Sequence, residues 1–261
     1  MLEIKPITAA NLPDAVRLCL AGSTPGDRPR AFTREVEVDC SRCKLAALRD
    51  RQRAGGAAWA AYRSGALVGY LELHAVADAL APVRGGTGHV LQCLRIPEPA
   101  LREEVEAALV EHAFAALGPS AGLAVVAREK DWSRHGFVLA EDAMSEVAGD
   151  ARMLWWRGAG EPPGLVEPVR DFPLVDGRVR VDLFTSGRCP WDEYVAKLVR
   201  DVAAAMADRV VLFETDCGVR DAILRTGVVS ACAVNGRYRP WYRPHILPDE
   251  HTIRRAIENV V

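Results

Sequence analysis

Residues 89–117, HVLQCLRIPEPALREEVEAALVEHAFAAL, constrain this chain more than any other stretch, because they turn a buried strand directly into a long helix. Val90, Leu91, Cys93, Leu94 and Ile96 leave little polar face over 89–96, which places that strand in the middle of a sheet. Pro97 and Pro99 break the run, and Pro99 suits the first turn of a helix, where its missing N–H would have no partner anyway. Beyond it Leu101, Val105, Ala108, Leu109, His112 and Ala113 recur at spacings of three and four, an apolar stripe. A strand feeding a helix start offers unpaired N–H groups and the positive end of a dipole, so the junction at 97–102 is a candidate anion site.

The rest of the first half supplies partners for that unit. Leu2, Ile4 and Ile7 alternate with polar residues as in a short strand, and Thr8 or Asn11 can cap a helix over 12–20. Residues 22–30 are loop by composition, and a helix with Cys40, Cys43, Ala47 and Ala54 follows until Gly55-Gly56 stops it. Trp59–Arg63 and Ala66–His74 flank Ser64-Gly65 as a hairpin. Further strands are expected over 122–128, from Phe137, and over 151–157, with a short helical turn at KDWSRHGF. Residues 158–178 carry Pro and Gly without periodicity and read as a linker. A second unit then runs strand 179–185, helix 190–206 with Tyr194, Leu198, Val202 and Ala205, strand 210–214, helix 220–226, strand 228–234 turning at Asn235-Gly236, and helix 251–261. Two domains also suit 261 residues better than one.

With 33 basic and 35 acidic side chains the net charge is −2, which gives no reason to expect nucleic acid or an anionic membrane as partner. No apolar run approaches the ~20 residues of a membrane span. The opening MLEIKPITAANLPD has no signal-peptide pattern, and seven cysteines without one point to reduced thiols in the cytoplasm. A small-molecule substrate is the expected partner.

Three local features, IKPIT…LPDAVRLC, the Leu-Val-Gly-Tyr strand of the hairpin and the HGF at 135–137, together with the order β-α-α-β-β-β-α-β-α-β-β, make residues 1–157 resemble the GCN5-related N-acetyltransferase (GNAT) fold. The order of 179–261, with Cys189-Pro-Trp-Asp192 where its first strand meets its first helix, resembles the thioredoxin/glutaredoxin fold. A chain of both is similar to the YoaP-like acetyltransferases. The resemblance implies an α+β unit followed by an α/β unit, acetyl-CoA as cofactor, and acyl transfer to a small amine or thiol. It would lay the pantetheine arm along the backbone of Leu94, Arg95 and Ile96 and the pyrophosphate against Ala100, Leu101 and Arg102. Here that stretch, PEPALRE, holds no glycine, and Arg95 and Arg102 are its cations. The family's acidic Tyr falls on Trp132, so His135 becomes the candidate acid and Glu72 the candidate base, each with a bland alternative: a structural His and a solvated edge.

The cysteines support a different class of function. Cys189 at a helix start beside Arg188 is placed for a lowered thiol pKa, although Asp192 opposes this and stands where a glutaredoxin-like motif has its second Cys. Cys232 is then the candidate partner across the site. Cys40 and Cys43, at i and i+3, are expected to share a helix face and to join Cys93 as a redox couple or half a soft-metal site, or else to fill core. The alternative function is therefore thiol chemistry or soft metal or metalloid capture on a scaffold without CoA. A third is a binding module in which one half scaffolds the other. Cys19 and Cys217 read as core fillers.

Overall fold

The computed structural model describes residues 1–20, 32–118, 121–127, 132–145, 151–156, 160–239, 241 and 248–259; the loop expected at 22–30 and the ends expected at 128, 157 and 261 lie outside them. Two main sheets are present among these residues. The first has seven strands in the order β1-β2-β3-β5-β6-β8-β7. These are β1 (Leu2–Pro6), β2 (Ala57–Arg63), β3 (Ala66–Ala75), β5 (His89–Arg95), β6 (Leu123–Ala127), β7 (Val138–Ser145) and β8 (Ala151–Trp156). β5 is the fourth of the seven, as the scant polar face of 89–96 predicts.

Helices α1 (Leu12–Leu20) and α2 (Arg34–Arg53) cover one face and α3 (Arg102–Leu117) the other. The pleat of β2 decides which residue meets which helix. Trp59 and Ala61 pack with Val105, Leu109 and Ala113 of α3, while Ala58 and Ala60 pack with Leu12, Val16 and Leu48 of α1 and α2. The hairpin turns on Ser64 and Gly65 at φ 51° and 79°, the pair of positive φ values that a two-residue loop needs to follow strand twist. Gly69 of the Leu-Val-Gly-Tyr run lets α3 approach. A Cβ there would lie 2.4 Å from Val105 Cγ1.

The second sheet has the order β11-β10-β12-β13. Its strands are β10 (Val179–Thr185), β11 (Val210–Asp216), β12 (Ala231–Val234) and β13 (Arg237–Arg239). β10 and β11 are parallel, and β12 pairs antiparallel with both β10 and β13. Helices α4 (Pro190–Ala205) and α6 (Glu250–Glu258) share a core with Val181, Leu183, Cys232 and Val234, and α5 (Arg220–Thr226) packs in a separate cluster with Phe184. On α4 the buried positions are Tyr194, Leu198 and Val202 as expected, but Ala203 rather than Ala205 closes the stripe.

The two sheets are joined by shared cores. Leu20, Phe32, Val36 and Cys40 lie in the α4 core, and Leu80 of the β3–β5 connection packs with Phe184, Cys217 and Ile223. Arg220 fixes that connection by donating to the carbonyls of Ala79, Ala81 and Val83 at 2.5, 2.9 and 2.6 Å. The Pro- and Gly-rich segment is no free tether. Within it β9 (Gly164–Leu165) pairs with β4 (Val83–Arg84), and Val169 N–H donates to Thr226 O at 2.7 Å.

Candidate active site

The central pair of the first sheet comes apart early. Parallel β5 and β6 are in register only at His89–Leu123 and Val90–Ala124, although β5 runs on to Arg95 and β6 to Ala127. On its other edge β5 stays paired with β3 as far as Tyr70–Arg95, with a bulge that leaves Gln92 without an opposite residue. The Gln92 amide turns to the β3–β5 connection, where it accepts from Leu80 N–H at 3.2 Å and donates to Leu80 O at 3.0 Å. Beyond Val90 the two strands are therefore unpaired, and β5 runs on to Arg95 before the turn that leads into α3.

That helix start is a tight 3₁₀ turn over Pro99–Leu101 that becomes α-helical at Arg102. Glu98 accepts from Ala100 N–H at a long 3.4 Å, and no side chain caps α3 itself. Ala100 and Arg102 are exposed, and Leu94, Ile96 and Leu101 lie half-buried against the α3 side of the core. Arg95 Nε is buried without a hydrogen-bond partner, while Arg102 lies 3.8 Å from Glu106.

Glu72 is neither a solvated edge nor a free base. It is 2% exposed on β3, is bonded by Lys44 Nζ (3.4 Å), His74 Nε2 (3.0 Å) and Tyr70 Oη (2.5 Å), and pairs ionically with Arg51 Nε at 2.7 Å, a contact without hydrogen-bond alignment. Burial opposes its ionisation, but Lys44, Arg51 and the His74 hydrogen bond win and hold it well below the usual carboxylate range. His135 ends a 3₁₀ turn over Ser133–His135, its Nε2 2.8 Å from Glu106 of α3, which also bonds Arg134. It ties that turn to the helix. Trp132, in the family's acid position, is buried edge-on to Phe137 at 5.2 Å.

The thiols assemble differently from the sequence expectation. Cys40 is buried in the α4 core and Cys43 is exposed, so the pair does not share a face. Cys43 instead borders an open cleft of about 550 Å³ with Glu193, Arg200, Glu214 and Asp216. Desolvation pushes the Cys40 thiol up to about 12 and raises Cys43 also. Cys232 is fully buried beneath α4, raised by that burial and by Asp182. Cys189 stands at the N-cap position of α4 without a side-chain cap hydrogen bond, and desolvation and then Asp192 push its thiol up to about 12. The expected thiolate at that helix start is overturned because desolvation outweighs the dipole.

Cys93 behaves in the opposite way. A hydrogen bond with the Cys19 thiol outweighs burial and, with Lys44 and Arg188, lowers it to about 6. Cys19, Cys93 and Cys189, from α1, β5 and the start of α4, all feel the charge of the Lys44 ammonium, which favours their ionised forms. The sequence carried one signal for this. Val36, Cys40, Lys44, Leu48 and Arg51 form the buried stripe of α2, and two cations in such a stripe require an acid opposite. Among the described residues no group of three or more His, Cys, Asp or Glu is arranged to hold a metal ion. No described helix is long and apolar enough to cross a membrane.

No family model matches the chain, and no curated protein is similar enough to match. Solved structures do match. An HPA2-type histone acetyltransferase and related acetyltransferase from Corynebacterium glutamicum is 19% identical with a TM-score of 0.46, over 63% of this chain and 97% of its own. The PaiA N-acetyltransferase of Thermoplasma acidophilum, in complex with coenzyme A, gives 14% and 0.42 over 60% and 99%. The ribosomal-protein-S18-alanine N-acetyltransferase of Escherichia coli gives 14% and 0.40 over 67% and 100%. At these identities and scores the likeness carries no activity or acceptor to this chain. The fold stands on the strand order and the single parallel pair at its centre.

Proposed function

We propose that this chain is an acyl-CoA-dependent acyltransferase of the GNAT superfamily acting on a small amine or thiol. The single observation that carries the reading is the parting of β5 and β6 after Val90 in an otherwise paired sheet. Its residues suit acyl-CoA in three respects. The backbone of Leu94–Ile96 runs along one wall, so its peptide groups align an extended pantetheine arm. The N–H groups at 100, 101 and 102 bond Glu98 Oε1, Glu98 O and Pro99 O, and the first of these, a long 3.4 Å contact, is the one a phosphate would displace. Arg95 Nε, buried and without a partner, supplies a donor beside them.

The bound thioester supplies the activated acyl group. Glu72, the candidate base, is committed to its four partners, and His135, the candidate acid, to Glu106, so the proposed reaction uses neither. The acceptor attacks directly, and the second unit meets α1 through Trp191 Nε1, which donates to Cys19 O at 2.9 Å. The division we favour is a GNAT-like unit over 1–157, a connecting segment over 158–178 and a thioredoxin-like, YoaP-like unit over 179–261. The order β11-β10-β12-β13, with one parallel and two antiparallel pairs, supports the last. A cytoplasmic setting agrees with seven free thiols.

A thermal melt of the full chain with acetyl-CoA tests the reading. Binding at a hundredfold excess over Kd contributes about 2.7 kcal/mol, an upward shift of roughly 5–10 °C for a chain of this size. An unchanged melting temperature at millimolar acetyl-CoA would overturn it.

A further inference from the structure

Gln92 marks the place where the central strands part, and what holds it comes from the other half of the molecule. It is 3% exposed, and the bulge leaves it no opposite residue on β3. Both ends of its amide bond the backbone of Leu80, at 3.2 Å to the N–H and 3.0 Å to the carbonyl. Alternate residues of 79–83 serve two bodies. Ala79, Ala81 and Val83 pack with Val90 and Ala124, the last pair that β5 and β6 form. Leu80 instead joins Phe184, Cys217 and Ile223 in the second unit. The carbonyls of the same stretch are held by two arginines. Arg220, the first residue of α5, donates to Ala79 O, Ala81 O and Val83 O, and Arg188, just ahead of α4, donates to the Leu80 carbonyl that Gln92 also uses. A guanidinium carries its donors in a rigid fork, so three carbonyls on one side chain have their spacing fixed. Hydrogen bonds thus run without a break from the second unit to the β5 bulge. A bulge re-aims the strand beyond it, because successive residues alternate sides and one extra residue exchanges them. Whatever keeps Gln92 out of the ladder therefore decides which peptide groups of 93–96 face the parted side.

We propose that the second unit sets the acyl-CoA slot between β5 and β6 from a distance. Arg220 and Arg188 hold 79–83 where Leu80 keeps Gln92 out of the β3–β5 ladder, and Arg220 and Gln92 are positioning residues for the wall at Leu94–Ile96. The proposal rests on reading the parted strands as the acyl-CoA site. Neither residue needs to touch the cofactor. Each acts on affinity through the path of β5, so the second unit is part of the binding site without lining it.

The test is a titration of the full chain with acetyl-CoA. Arg220→Ala and Gln92→Leu should each raise Kd about tenfold, and the double variant should be no more than about threefold weaker than either, because both cut one path. Arg180→Ala is the comparison. It removes the ion pair to Asp182 and the bond to Pro173 O inside the second unit, so it should lower the melting temperature while Kd stays within about twofold. Because a variant can lose its fold, a second measurement uses the unaltered chain. Coupling is reciprocal, so saturating acetyl-CoA should slow hydrogen exchange at the Leu80 N–H, which bonds Gln92, by about tenfold. An unchanged Kd in Arg220→Ala, fully multiplied effects in the double variant, an equal loss in Arg180→Ala, or unchanged exchange at Leu80 on binding would each overturn the assignment and leave the acyl-transfer reading standing. Acetyl-CoA that fails to bind the unaltered chain would overturn both.

Discussion

Two strands in this protein run straight into helices, and the two junctions have opposite fates. Between β5 and α3 the helix start is exposed, without a side-chain cap and next to a parted pair of strands. Between β10 and α4 it is closed in. Cys189 holds the N-cap position there, likewise without a side-chain cap bond, beside Asp192, whose own carboxyl is pushed up to about 6 by burial against the Ser230 bond and Arg188. By local rules the second junction should hold the anion and the mid-strand Cys93 should be inert. Desolvation reverses the order. A helix dipole contributes at most about 2 kcal/mol, and a hydrogen bond from Cys19 with a buried ammonium at Lys44 does more for Cys93 than a helix start does for Cys189. Position in a secondary element is a weaker guide to thiol ionisation than the charges packed around the sulfur.

The comparison can be broken first at the charge that both thiols share. Glu72→Gln leaves Lys44 and Arg51 buried without their carboxylate and should cost about 3–5 kcal/mol in urea denaturation. A loss under 1 kcal/mol would mean that the cations are not held as described. Arg220→Ala removes three bonds to the β3–β5 connection, whose Leu80 O also accepts from Arg188 at 3.2 Å. Loss of such charged donors should cost roughly 2–3 kcal/mol, and Cys189 should be labelled faster by iodoacetamide as its crevice opens. Unchanged labelling would show that the clamp does not close that junction.

Acidity separates the two thiols by sign. The Cys93 thiol lies below its ordinary 9.0 in the folded chain, so between about pH 6 and 9 the unfolded chain binds more protons and stability rises with pH. Its contribution is complete above 9 and lost as pH falls through 6. Cys189 is raised to about 12, so its contribution is complete below 9 and lost between 9 and 12. Urea curves should therefore show the deficit of Cys93→Ser growing from pH 5.5 to 9, while that of Cys189→Ser stays flat over the same range. Parallel behaviour would refute the contrast. The smallest effect is expected at the open junction. Glu98→Ala removes an exposed, 3.4 Å bond to Ala100 N–H and should change stability by no more than about 0.5 kcal/mol. It should also increase the melting shift given by acetyl-CoA, since one negative charge leaves the mouth of the slot. A reduced shift would place the phosphates elsewhere.

What sequence alone determined here is what short range controls. Ser64-Gly65 and Asn235-Gly236 take the positive φ values their hairpins need, and Arg220–Thr226 is helical over the expected residues. The largely apolar run of 89–96 put β5 at the sheet's centre. Each of these follows from backbone sterics or from period, which neighbours in the chain fix among themselves. The site was legible only in outline. The strand–helix junction was visible, but the parting of β5 from β6 depends on a strand some thirty residues on. Cys40 and Cys43, adjacent by helical spacing, fall one into the core and one into the open, and Cys19, which looked like filler, meets Cys93 across α1 and β5. Tertiary structure decided these because ionisation and reactivity depend on which charges and how much water surround an atom once distant segments close over it, and no local pattern encodes that.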